Sequence, residues 1–281
     1  VTIEEVGFDI TLGRLTGLRA GNRQGPKVLA LHGWLDNAAS FVPLAEQLPD
    51  LDLVMLDLPG HGRSAHLGRG AEYTFVVTLN AILDVADALG WERFNLLGHS
   101  MGAGIASLLS ASLPQRVTRL VAIEALGALA DAPGRTTTRL RDSMAAARGF
   151  PSKGLRVFPD LTAPIRARMQ ANQLSEPCAR LLVERGVVAR GDGFVWSSDP
   201  RLTLPTLQRF TEPQVRELIA GIECPTRVIF ANPPQVYLPE PLRSERAGLL
   251  PQGELIVMQG THHLHMETPV PVARVIDGFF Q

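Results

Sequence analysis

The chain is poor in cysteine. Among its 281 residues only Cys178 and Cys224 carry thiols, too few for a disulfide framework, and both read as ordinary thiols of a reducing compartment. An excess of either charge is also missing. The 27 Lys and Arg face 28 Asp and Glu for a formal net charge of -1, so no global positive field exists to hold a nucleic acid backbone. No apolar run reaches the roughly 18 residues of a membrane span. The opening VTIEEVGFDI carries acidic residues and no basic stretch leading into an apolar one, and it does not read as a signal peptide. There is no internal repeat. These absences predict a cytoplasmic protein, monomer or homodimer, whose partner is a small-molecule substrate rather than a nucleic acid or a membrane. With 45% hydrophobic and 20% charged residues, the chain has the composition of a folded protein and the length for one large core with an inserted subdomain.

What is present is rhythm. Short, nearly continuous apolar runs fall at 27–31, 53–56, 94–97, 120–123, 227–230 and 254–258, after two further candidate strands at 4–11 and 17–20. Such runs suit strands buried on both faces of a parallel sheet. Helix-like intervals lie between and after them at 41–48, 73–89, 102–113 and 270–280. In the second, Phe75, Leu79, Ile82, Leu83 and Ala86 recur at a helical period. Strands alternating with helices predict an open α/β sheet with right-handed crossovers. Residues 128–220 break the rhythm. They are rich in Arg, with helical patterns at 135–148, 164–173, 176–185 and 212–220 and a strand signal only at 194–196. They are expected to form a helical cap between two core parts, 1–127 and 221–281. Their arginines read first as a solvated helical face and second as a surface for an anionic group.

The strongest local pattern is Gly98-His99-Ser100-Met101-Gly102, set between an apolar run and a small-residue helix. That is the context of a G-x-S-x-G nucleophile elbow. The chain must turn sharply from strand to helix, which strains the serine backbone; Gly98 and Gly102 leave room for the close approach. The Ser100 hydroxyl then stands free at the sheet edge, and the Met101 backbone N–H can stabilise an oxyanion. A base is offered by Gly260-Thr261-His262-His263-Leu264-His265 directly after the last run. His262 is the first choice, and His263 and His265 are its competitors. Three histidines so close invite a metal reading, but no H-E-x-x-H spacing or neighbouring Cys or Asp completes it, and no metal or cofactor is expected.

An orienting carboxylate is harder to find. The stretch 231–235 after the fifth of the buried runs contains no acid, and Glu240 lies well into the loop; Glu124 stands directly at the end of the 120–123 run. An acid there needs a partner, and the histidine ring is the natural one. Glu124 is therefore preferred, with Glu240 as the alternative. A second oxyanion donor is expected from the loop His32-Gly33-Trp34, through the Trp34 backbone N–H, with His32, the Trp34 side chain and His99 lining the pocket. The turn-rich Asp57–Ser64 loop matches no phosphate-binding pattern; Asp57 and Arg63 are expected to fix it by charge-assisted hydrogen bonds.

Together the His32-Gly33-Trp34 loop, DLPGHGRS at 57–64, GHSMG at 98–102 and THHLHMETP at 261–269 resemble the α/β-hydrolase fold superfamily. LHGWLDNAASF, RVFPDLTAPIRARM, VWSSDPRL and LTLPTLQRFTEPQV are similar to the serine hydrolase-like subgroup. The resemblance implies an eight-stranded, mostly parallel sheet under a helical cap, and a covalent acyl transfer by Ser100, His262 and Glu124. Small or medium uncharged esters are the first substrate class, with thioesters and C–C bonds behind them. A degenerate, ligand-binding relative is the rival of a different kind. The superfamily usually carries its acid after the strand that corresponds to 227–230; Glu124 matches the position one strand earlier that some members use. A serine at the elbow argues against the aspartate-dependent dehalogenase and epoxide hydrolase activities. Phe150, Phe158, Phe194, Trp196 and Phe210 are the cap aromatics available to a pocket, Phe150 and Trp196 first.

Overall fold

The computed structural model describes residues 1–150, 155–206 and 209–281; positions 207 and 208 of the LTLPTLQRFTEPQV stretch lie outside the described residues. Eight strands form the main sheet: β1 (Ile3–Ile10), β2 (Gly13–Gly21), β3 (Lys27–Leu31), β4 (Asp52–Leu56), β5 (Phe94–His99), β6 (Val117–Ile123), β9 (Thr226–Asn232) and β10 (Gly253–Gln259), in the order β1-β2-β4-β3-β5-β6-β9-β10. A two-stranded ribbon, β7 (Val187–Arg190) with β8 (Gly193–Trp196), stands apart from it. Within the main sheet β2 is antiparallel to both of its neighbours, β1 and β4, and every other pairing is parallel. Parallel strands place all their carboxyl ends on one edge, so the segments that follow β3, β5, β6, β9 and β10 converge there.

Alternating side chains of the central strands feed two cores. Leu29, Leu31, Leu96, Leu120 and Phe230 face one layer with helices α2 (Phe75–Ala88), α3 (Met101–Ser112) and α7 (Glu212–Ala220). Val28, Ala30, Leu97, Val121 and Ile229 face the other, with α1 (Val42–Ala45) and α10 (Pro269–Ile276). The expectation of burial on both faces fails for β10, where Leu255 and Val257 are exposed: it is the last strand, so its apolar run covers an edge rather than a centre.

Between β6 and β9 the chain builds the inserted region from α4 (Thr136–Arg148), α5 (Thr162–Asn172), α6 (Glu176–Gly186) and the β7–β8 ribbon. The strand signal at 194–196 is half of that ribbon; its partner, 187–190, carries exposed residues and gave no signal. Two short helices, α8 (Leu242–Ala247) and α9 (Leu264–Glu267), complete the fold. Cys178 and Cys224 are separate buried thiols. Among the described residues no helix is long and apolar enough to cross a membrane.

Most arginines of the inserted region lie on the expected solvated face, Arg135, Arg141, Arg148, Arg166 and Arg180 among them, but a few point inward and fasten the cap. Arg185 of α6 is buried and grips both carboxylate oxygens of the fully buried Asp57, reaching Glu5 of β1 with its other nitrogen. Burial alone would raise the Asp57 carboxyl, but Arg185 and the backbone N–H groups of Ala38 and Arg63 hold it below the usual carboxylate range. Arg63 contributes only that backbone N–H to Asp57, and its guanidinium goes to Glu5. Replacing Arg185 by Leu leaves a buried carboxylate without its counter-charge. The expected loss is about 3–5 kcal/mol, measured as a lowered urea midpoint at neutral pH; a change under about 1 kcal/mol would mean the pair is solvated.

Candidate active site

Ser100 occupies the turn between β5 and α3 with φ 52° and ψ -117°, outside the usual wells for a residue with a side chain. The strain is held from both sides. The Ser100 N–H donates to the Ile123 carbonyl at 2.8 Å, and the Ser100 carbonyl accepts from Gly104 N–H at 3.1 Å. A side chain at Gly98 would strike the backbone of Ala103, and one at Gly102 the Leu31 carbonyl, so the elbow needs both glycines.

The Ser100 Oγ lies 2.9 Å from His262 Nε2, and the His262 Nδ1–H donates to Glu124 Oε2 at 2.9 Å. Glu124 follows β6 at φ 61° and is buried. Its N–H donates to Ile229, and its Oε1 accepts from the Ala231 N–H. The acid-free loop after β9 thus supplies a donor to an acid that comes from the neighbouring strand. Glu240, the alternative, is drawn away instead, to Arg243 and Ser244.

A second layer supports the histidine. His99 donates from Nε2 to the His262 carbonyl at 2.8 Å, and the His265 ring packs 4.1 Å from its centroid. His263 donates from Nε2 to Asp36 Oδ2 at 3.0 Å; Arg168 of the cap binds Asp36 Oδ1 at 2.8 Å and the Leu35 carbonyl. Asp36 thereby joins His263 across the chain, a grouping the local spacing did not reveal. Asp36, His99 and His263 hold ligand-type atoms within 4.8 Å of one another, yet Asp36 already has two hydrogen-bonded partners, one of them a guanidinium. Burial opposes charge on Asp36, but His263 and Arg168 outweigh it and hold the carboxyl well below its ordinary range.

Several expected pocket residues are placed differently. His32 has no exposed surface; it donates from Nδ1 to the Gly33 carbonyl and accepts the Leu58 N–H at Nε2. His99 is equally enclosed. Neither ring can touch a ligand, because each is spent on holding a loop. The Trp34 side chain is 54% exposed and donates to the Leu202 carbonyl of the inserted region. Its backbone, in the turn closed by Asp36 N–H on the Gly33 carbonyl, follows the strand next to β5. Met101 begins α3, where backbone N–H groups have no partner within the helix.

Of the cap aromatics, Phe210 stacks on Phe75 of α2 and Phe158 meets Trp196 edge-on. Trp196 lines a shallow groove of about 650 Å³ with Arg156, Phe158 and Arg166 on the cap, whose lining does not include Ser100. Phe150 lies past the end of α4 and is partly exposed.

One residue with no motif to announce it reaches the centre. Tyr237, in the loop after β9, sets its hydroxyl 3.3 Å from both ring nitrogens of His262. It is half exposed, and the neighbouring Val236 is almost wholly so.

The alpha/beta hydrolase fold family matches residues 26–180. A serine hydrolase-like protein of Danio rerio is 30% identical over 99% of this chain and 88% of its own length. Serine hydrolase-like protein 2 of Homo sapiens is also 30% identical, over 99% of this chain and 94% of that protein. The crystal structure of a hypothetical protein from Pseudomonas aeruginosa PAO1 superposes with a TM-score of 0.93 at 37% identity, covering 99% of both chains.

Proposed function

The chain belongs to the α/β-hydrolase fold family, among the serine hydrolase-like proteins, and from that membership we propose that it hydrolyses esters through a covalent acyl-enzyme on Ser100. The observation that carries the proposal is the hydrogen-bonded series of strained Ser100, His262 and buried Glu124, with distances of 2.9 Å at both links. In this reading His262 takes the Ser100 proton as Oγ attacks the carbonyl carbon. The backbone N–H groups of Trp34 and Met101 receive the oxyanion. The imidazolium, held by Glu124, gives its proton to the leaving group; water then attacks the acyl-enzyme with His262 again as base. Small or medium uncharged esters are the favoured substrates, with the inserted region of α4, α5, α6 and the β7–β8 ribbon acting as the cap over the site.

The test is covalent. A fluorophosphonate should label one site per chain, at Ser100, and Ser100→Ala should abolish labelling while the far-UV circular dichroism stays unchanged. Intact wild-type protein that takes up no label would instead favour a ligand-binding relative without hydrolytic activity. Esters, thioesters and diketones of matched acyl groups separate the possible bond classes, since the same three side chains serve all of them.

A further inference from the structure

The loop after β9 brings more to the site than the Ala231 N–H. Tyr237 Oη is equidistant, at 3.3 Å, from His262 Nδ1 and Nε2, while the two rings stand almost perpendicular with centroids 6.1 Å apart. A point 3.3 Å from both nitrogens cannot lie in the ring plane, where it would strike the carbon between them, so it stands over the face of the ring. The hydroxyl therefore points at the face of the imidazole, within reach of the space in front of Nε2, and makes no in-line contact that would take either nitrogen from its partner. No other contact is needed to hold the imidazole, because Glu124 fixes Nδ1 and Ser100 occupies Nε2.

The location matters because of what must pass through it. On the proposed acyl-transfer reading, the tetrahedral intermediate collapses when the carbon–oxygen bond to the leaving group breaks. The electron pair goes to the leaving oxygen, which takes the proton from His262 Nε2. That oxygen must then lie within hydrogen-bond distance of Nε2, in the space bordered by the Tyr237 hydroxyl. We propose that Tyr237 is the leaving-group donor of this enzyme: its O–H hydrogen-bonds the departing oxygen while His262 supplies the proton, and this makes the site selective for oxygen esters over thioesters. Tyr237 keeps its own proton throughout, so the proton balance is that of His262 alone. Sulfur is a weak acceptor and a thiolate leaves without needing stabilisation of this kind, so a thioester gains little from the contact.

Two further facts fit that role. Burial and the nearby Glu124 hold the phenol up at about 12, so it remains a donor wherever His262 is a competent base. About half of Tyr237 is open to solvent, so the residue lies at the surface of the site rather than within the core.

The experiment compares wild type with Tyr237→Phe on esters of one acid with alcohols from a nitrophenol to ethanol, plus the matching thioester. Fluorophosphonate labelling of both proteins is the control for the Ser100 chemistry. A donor to a developing alkoxide is worth on the order of 10- to 100-fold in rate. Tyr237→Phe should lose that much kcat/KM on the ethyl ester. It should change by less than about threefold on the nitrophenyl ester and the thioester, where the leaving group needs less help. The dependence of rate on leaving-group acidity should therefore steepen in the variant. An equal loss on every substrate would make Tyr237 a positioning residue only, and no loss on any would remove it from the reaction; either result overturns the proposal. Wild-type protein that neither labels nor turns over any ester overturns the hydrolase reading itself, and the Tyr237 role with it.

Discussion

Glu124→Gln should lower kcat by about 10³- to 10⁴-fold while leaving the fold and the fluorophosphonate site in place. The substitution keeps the shape of the side chain and removes its charge. Glu124 accepts at both oxygens, from His262 Nδ1–H and from the Ala231 N–H. An amide can offer only one acceptor oxygen. If that oxygen stays with Ala231, the amide NH₂ faces Nδ1 and forces the proton to Nε2, where it opposes the Ser100 hydroxyl instead of accepting from it. If the amide reverses, its NH₂ is aimed at the Ala231 N–H, donor against donor, in a buried place. Both arrangements also lose the negative charge that stabilises the imidazolium. Steady-state kinetics with an activated ester measures the effect. Because the damage is to the chemical step, kcat should carry most of it and KM little. A variant within about tenfold of wild type would remove Glu124 from the proton transfer, and the same measurement on Glu240→Gln would then be the next step.

The second large effect is on stability in mild acid. Four histidines are enclosed and held neutral. Burial lowers His32, lowers His61 to about 3, and, with the neighbouring imidazoles, pushes His99 and His265 well below the ordinary value of 6.5. In the unfolded chain all four would titrate near 6.5. As the pH falls through that value, the unfolded state binds protons that the folded state refuses. Stability is thus fully present above about pH 7 and declines below it, with a limiting slope of about 5 kcal/mol per pH unit for four groups. By pH 5.5 the three most strongly depressed groups, His61, His99 and His265, account for a loss on the order of 4 kcal/mol, a large share of an ordinary domain's total. Asp36 acts in the same sense at lower pH: its depressed folded value adds stability that disappears only as the pH falls below the ordinary carboxylate value. Urea midpoints between pH 7.5 and 5.5 test this, and a flat profile would show that the imidazoles are hydrated or already protonated in the folded state. The activity lost over the same range should track unfolding.

The comparison of sequence with structure follows the range of the interactions. The central strands are legible because burial on two faces leaves almost nothing but apolar residues in a row, as in Leu53–Leu56 and Leu120–Ile123. Ser100 is legible because the elbow is local: two glycines, a strand before and a helix after. Glu124 was reached from a different kind of reasoning, that a carboxylate at the end of a buried strand must have a partner, and its distance of 2.9 Å to His262 is what the active-site proposal rests on. What stayed hidden is made of contacts between distant segments. Nothing near Arg185 points to Asp57, 128 positions earlier, and charge periodicity does not say which arginine of a mostly solvated cap turns inward. His32 and His99 looked like pocket residues because they flank the right loops; their rings turn inward to satisfy backbone groups. Tyr237 sits in a proline-rich loop with no periodicity at all, and only the convergence of strand ends brings it beside the imidazole.

The position of Glu124 has one more implication. Where a charge-bearing residue sits on a flexible connection, any insertion there disturbs the proton-transfer system. Here the carboxylate is anchored at the terminus of a central strand, and the loop after β9 meets it only through the Ala231 N–H. On the proposed reading, a change at the half-exposed Tyr237 of that loop retunes the preference for one leaving group over another, while the buried Leu238 keeps the loop seated and Ser100 and His262 stay as they are.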